Sequence, residues 1–104
     1  MIDSKKIKIF EKKINYKFKN SKLLIQSLTH PSFYLENEKK IKINEFERFE
    51  FLGDRVLGLI IANLLFSKYK NFNEGDLSKK YSYLVQKKFL FKISQELQIE
   101  DVLK

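Results

Sequence analysis

Glu47, Glu50 and Asp54 stand three and four residues apart in the segment Glu47-Arg48-Phe49-Glu50-Phe51-Leu52-Gly53-Asp54-Arg55-Val56-Leu57-Gly58. On a helix turning about 100° per residue, the three carboxylates fall within roughly 60° of one another. Like charges at this spacing repel by roughly 0.2–0.5 kcal/mol when exposed, and partial burial raises that penalty. A bound divalent cation relieves it, and hard carboxylate oxygens suit Mg2+, with Mn2+ as a substitute. Each acid also has a plainer reading. Glu47 follows Asn44 by three residues, the spacing of a capping box. Glu50 and Asp54 could simply favour the positive N-terminal end of a helix. Asp is a poor helix-interior residue, and Gly53 and Gly58 each cost up to about 1 kcal/mol there. Close approach of another helix or of a partner subunit would explain the glycines. Both arginines of a chain otherwise basic through lysine, Arg48 and Arg55, flank this stripe. Planar, bidentate pairing is a reason to keep arginine there.

The element that must present these acids is a long helix. It is expected to open at Asn44 and run to about Tyr69, with Val56 to Phe66 apolar on nearly every side. That makes it the expected buried spine of the domain. Leu57, Ile61 and Leu65 continue the face of the carboxylates. Before it, Ser4 is placed to cap a first helix burying Ile7, Phe10 and Ile14, with Asn15 ending it. Asn20 or Ser21 caps a second helix carrying Leu24, Ile25 and Leu28, which stops ahead of Pro31. Tyr34 to Lys42 is polar and reads as a mobile loop. After a turn over Asn71 to Gly75, Asp76 or Ser78 caps a fourth helix through Val85, with Leu77, Tyr81 and Leu84 inward. A fifth, Lys88 to Leu97, uses Phe89, Ile93 and Leu97, and no Gly or Pro separates it from the fourth. The fold class is all-α, since no alternating strand pattern occurs. Glu100 to Lys104 carries no closing signal, so the chain is expected to be a portion of a longer domain.

Composition narrows the chemistry further. With no cysteine, thiolate nucleophiles, disulfides and cysteine-held zinc are excluded, and a reducing, cytoplasmic setting is expected. Met1 to Lys6 lacks the apolar core of a signal peptide. Val56 to Phe66 is shorter than the roughly 20 residues a bilayer requires, so a soluble protein with no membrane partner is expected. The net charge is +8. It invites a polyanion, although a lysine-rich surface also serves solubility. Its distribution is more telling: +7 over residues 1–42, −2 over 43–60 and +3 over 61–104. An acidic patch inside a basic protein suits a metal site facing an anionic substrate.

Glu47-Arg48-Phe49-Glu50-Phe51-Leu52-Gly53-Asp54 resembles the ribonuclease III signature Glu-Arg-Leu-Glu-Phe-Leu-Gly-Asp, departing at Phe49. Leu28-Thr29-His30-Pro31-Ser32-Phe33 resembles that family's Leu-Thr-His-x-Ser-Tyr segment, and Glu74-Gly75-Asp76-Leu77-Ser78 resembles its Glu-Gly-Asp-Leu-Ser segment. The three motifs occur in the family's order between Leu28 and Ser78. The resemblance implies the helical endonuclease-domain fold, incomplete at its C-terminus, with residues 1–104 as its N-terminal portion. It implies a metal-dependent, double-stranded-RNA-specific endoribonuclease of RNA processing, acting as a homodimer.

Position by position, the resemblance makes Glu50 a direct metal ligand and Asp54 the second catalytic carboxylate. It makes Glu47 and Glu74 acids flanking the site, and Phe51 a dimer contact that inserts into the partner. Read from the residues alone, Phe51 is simply core. His30 is expected to be a structural turn residue, not a base. Lys79, Lys80, Lys87 and Lys88 are candidate RNA-phosphate contacts, or else a solvated face. Family members supply a second acidic pair on a later helix, and a separate double-stranded-RNA-binding domain. Neither pattern occurs in these residues, so weak or absent cleavage is expected from them alone. The alternative is a non-catalytic RNA-binding or dimerisation module on the same fold.

Overall fold

The computed structural model describes residues 2–103, and every element among them is helical. Helix α1 spans Ser4–Ile14. Asp3, not Ser4, caps it, accepting a 2.9 Å hydrogen bond from the Lys5 N–H. Asn15 ends it as expected, in the left-handed region at φ 55°, with its N–H turned back to the Glu11 and Lys12 carbonyls. Helix α2, Ser21–Leu28, is capped by Asn20, whose side chain accepts from the Lys22 and Leu23 N–H groups. It stops before Pro31, which opens a short 3-10 turn, Pro31–Phe33.

Helix α3 runs Glu36–Lys68, so its first two turns occupy the stretch expected to be a loop. Apolar periodicity is absent there because the turns face water: Ile41 and Ile43 are exposed. Local charge chemistry supports them instead. Glu36 and Glu38 sit in the first turn beside the positive helix end. Lys39 pairs with Glu36, Lys42 pairs with Glu45, and the Lys42 ammonium lies over the Tyr34 ring. The expected start at Asn44 is therefore corrected. With it fall the capping-box reading of Glu47 and the dipole reading of Glu50 and Asp54, which lie turns away from the helix end.

Helix α4, Glu74–Leu84, is capped by Asn73, which accepts from the Asp76 N–H at 2.9 Å; neither Asp76 nor Ser78 is the cap. Val85 and Gln86 separate it from α5, Lys87–Glu96, and a second short 3-10 turn covers Ile99–Asp101.

The buried cluster is Ile2, Ile7, Leu24, Leu28 and Val102, with Phe10, Phe18, Ile25 and Ile99 packed on it. It clasps the two ends of the chain around α2. Lys13 donates to Gln98 across that junction. The expected buried spine is not found. Of α3, only Gly58 and Leu65 are buried, while Leu59 is 71% and Phe66 73% exposed. The accessible surface is 9010 Å² for 12.5 kDa, against roughly 6,200 Å² for a self-contained monomer of that mass. The radius of gyration is 16.4 Å, against about 13 Å for a compact domain of this length. The apolar faces of α3 find too few partners within these residues to be buried.

Helix α4 returns along α3 and meets it closely at Gly58. A Cβ built there would stand 2.6 Å from the Tyr81 hydroxyl oxygen and 3.7 Å from the ring carbon bearing it. Gly53, by contrast, has open space around it. Gly58→Ala should therefore stabilise a Tyr81→Phe background by about 0.5–1 kcal/mol through helix propensity. In the parent, displacement of the tyrosine should cancel or reverse that gain. Thermal unfolding of the four proteins checks this, and equal effects in both backgrounds would remove the tyrosine contact as the reason for glycine.

Candidate functional site

Glu47, Glu50 and Asp54 all lie on α3, upstream of the point where α4 covers the same face. Helical spacing keeps Glu50 and Asp54 on one side, one turn apart. All three acids are exposed, so the expected partial burial is corrected. The cause is the start of cover at Gly58, one turn beyond Asp54. The Asp54 side chain is 75% exposed, and its only described ion pair is to its neighbour, Arg55 Nη1 to Asp54 Oδ2, at 3.4 Å.

The stripe does not close into one cluster. Among the described residues no three acidic or histidine side chains come together to hold an ion. Glu47 lies seven residues from Asp54, about 10 Å along the axis. Glu74 begins α4, seven residues before the Tyr81 that meets Gly58. With α4 antiparallel to α3, it is displaced toward the far end of α3. Glu50 and Asp54, one turn apart, remain on one side of α3 as two carboxylate donors. That donor set suits Mg2+, which commonly keeps several waters and takes one or two carboxylates.

Phe51 is 61% exposed, which overturns its reading as core. The Arg55 guanidinium lies over its ring, 3.9 Å from the centroid. Spacing of four along a helix brings these two side chains together. An open depression beside α3 is lined by Glu47, Arg48, Phe49, Phe51 and Leu52 among others, and includes neither Glu50 nor Asp54.

His30 caps the first 3-10 turn: its Nδ1 accepts from the Ser32 N–H and lies 2.8 Å from Ser32 Oγ. The geometry agrees with a turn residue. Lys79 and Lys80 are exposed on α4, and Lys87 and Lys88 on α5. Lys80 leans over the Tyr69 ring at 4.8 Å, and Tyr69 stacks on Phe72. Sequence reading missed the link between α2 and the acidic stretch. Gln26 Nε2 donates to Glu45 Oε2 at 2.9 Å, and Lys42 approaches the same carboxylate. The Lys42–Glu45 spacing was legible; the contact from α2 was not.

The helical order, the crossing at Gly58 and the acid pair on α3 define a class. The profile of the ribonuclease-III-like family matches residues 20–104, and the chain belongs to the ribonuclease III family. Ribonuclease 3 of Rickettsia felis (strain ATCC VR-1525 / URRWXCal2) is 44% identical over 91 residues, covering 88% of this chain and 40% of that relative. The Rickettsia akari (strain Hartford) enzyme is 43% identical over the same shares. The nuclease domain of ribonuclease III from Campylobacter jejuni superposes with a TM-score of 0.75 at 40% identity, over 94% of this chain and 64% of that one. That structure is described as flexible in a region involved in dimer formation. The chain spans about two fifths of the length of the curated relatives it matches.

Because the acids are exposed and only loosely paired, Glu50→Gln and Asp54→Asn should each change unfolding free energy by no more than about 0.5 kcal/mol. Denaturant melts check this. A loss several times larger would mean that one of these carboxylates has a structural role.

Proposed function

We propose that these residues form the N-terminal portion of the endonuclease domain of a ribonuclease III that hydrolyses phosphodiester bonds in double-stranded RNA. The observation that carries the reading is the pair Glu50 and Asp54, one turn apart on one exposed face of α3, in a chain of this family. Both would hold a Mg2+ ion, for which Mn2+ can substitute, and Glu47 and Glu74 would flank them. When bound, such an ion lowers the pKa of a coordinated water and stabilises charge on the leaving oxygen. The protein's own part is then to hold the ion and keep it open to a bulky, rod-shaped substrate. The exposure of both carboxylates suits that role. Lys79, Lys80, Lys87 and Lys88 would meet phosphates, and little base specificity follows, because duplex RNA is recognised mostly by shape and backbone.

The surplus of roughly 2,800 Å² over a self-contained monomer's surface is area left for the rest of the domain and for a second copy. The related nuclease domain, described as having a region involved in dimer formation, supports a homodimer. Obligate interfaces bury 2,000 Å² or more in total, and Phe51 stands exposed on α3. No helix among the described residues is long and apolar enough to cross a membrane, and a cytoplasmic location agrees with the absence of cysteine.

Calorimetric titration with Mn2+ tests the site. Glu50→Gln should weaken binding at least tenfold, or about 1.4 kcal/mol; equal affinity in the two proteins would remove Glu50 as a ligand. With two carboxylates one turn apart in place of a larger cluster, the 104 residues are expected to cut duplex RNA slowly or not at all. Vigorous Mg2+-dependent cutting by them would overturn that, and equal Mn2+ affinity would favour the non-catalytic module.

Self-association is tested separately. Phe51→Ala should weaken it about thirtyfold, the effect of losing one aromatic anchor of about 2 kcal/mol, as read by sedimentation equilibrium. An unchanged dissociation constant would move the contact elsewhere.

A further inference from the structure

One side chain touches both of the features on which that reading relies. Arg55 lays its guanidinium over the exposed Phe51 ring, 3.9 Å from the centroid, and brings Nη1 to 3.4 Å from Asp54 Oδ2. Residues one apart on a helix point about 100° away from each other, so Arg55 reaches its neighbour Asp54 only if its long side chain folds back. The Phe51 ring, four residues before Arg55 and on the same side, is the surface against which it folds. The arginine is itself 61% exposed. Nothing described holds it except the ring and the carboxylate.

We propose that Arg55 is a positioning residue that couples self-association to metal uptake. Held on Phe51, its guanidinium stays 3.4 Å from Asp54 Oδ2, and its positive charge opposes a cation arriving at that carboxylate. A partner copy that takes the Phe51 ring into its own surface removes the platform. Arg55 then swings free, and Asp54 becomes fully available to the ion. The arrangement keeps the isolated chain poor in metal and makes the assembled one receptive. Coupling of this kind is reciprocal, so a cation on Asp54 must favour association by the same factor.

This inference rests on the proposed roles of Asp54 and Phe51, and the test separates its failure from theirs. Mn2+ affinity is measured at concentrations where the chain is monomeric, by the electron-spin-resonance signal of the free ion. The set comprises the parent, Arg55→Gln, Phe51→Ala, the double variant and Asp54→Asn. Asp54→Asn should weaken binding; if it does not, the metal reading itself falls, and the inference with it. Given that weakening, Arg55→Gln should tighten Mn2+ binding about two- to fivefold, the range of an exposed ion pair. Phe51→Ala should tighten it in the same direction. The double variant should match Arg55→Gln alone, because the ring acts through the arginine.

Sedimentation equilibrium with and without Mn2+ gives the second readout. The parent's association should tighten with the ion by a similar factor, and Arg55→Gln should lose that dependence. Additive effects of the two substitutions, unchanged affinity in Arg55→Gln, or parent association indifferent to Mn2+ would overturn the coupling while leaving Asp54 as a ligand.

Discussion

The crossing of α4 over α3 at Gly58 decides which part of one helix face is sealed and which stays open. Downstream of that point on the same face, Ile61 is half-buried and Leu65 is buried. Upstream, the same face presents Glu47, Glu50 and Asp54 to water. The two halves have opposite chemistry because only one of them is covered. A glycine lets the helices approach, and the Tyr81 hydroxyl fills the space that a side chain would take. Tyr81 is itself half-buried at this crossing.

The remaining faces of α3 follow the opposite rule. Leu52, Val56, Leu59, Ile60, Leu64 and Phe66 are apolar and exposed, in a protein whose buried cluster lies elsewhere, among α1, α2 and the last 3-10 turn. Apolar burial stabilises by about 25 cal/mol per Å², and this helix forgoes most of it within these residues. Such a helix is an element prepared for company. The electrostatics agree: the charged side chains that stabilise it are concentrated in its first turns, where Glu36, Lys39, Lys42 and Glu45 pair along the axis. The central apolar stretch is left free of such pairs.

Much of the fold could be read from residue spacing. The first two helices, their apolar faces, the break at Pro31 and the roles of Asn15 and Asn20 all followed from local chemistry, because caps and periodic faces act over a few residues. The opening of α3 did not. Its first two turns bury no apolar side chain, so they carry no periodic signal, and i,i+3 charge pairs do the work instead. Glu47 was misread as a cap for the same reason. The Asn73 cap was overlooked in favour of Asp76 and Ser78, which is a matter of register within a run of polar residues.

At the site, sequence alone determined that Glu50 and Asp54 share one side of a helix, because 3.6 residues per turn admits no other result once the helix exists. It also determined, by resemblance, the family to which the chain belongs. Only the tertiary structure decided that those acids are open to solvent, that Glu47 and Glu74 do not converge with them, and that Phe51 is exposed under Arg55. Burial and convergence depend on which helix crosses where. That is set by a contact between Gly58 and Tyr81, residues far apart in the chain, whose meeting no local pattern encodes.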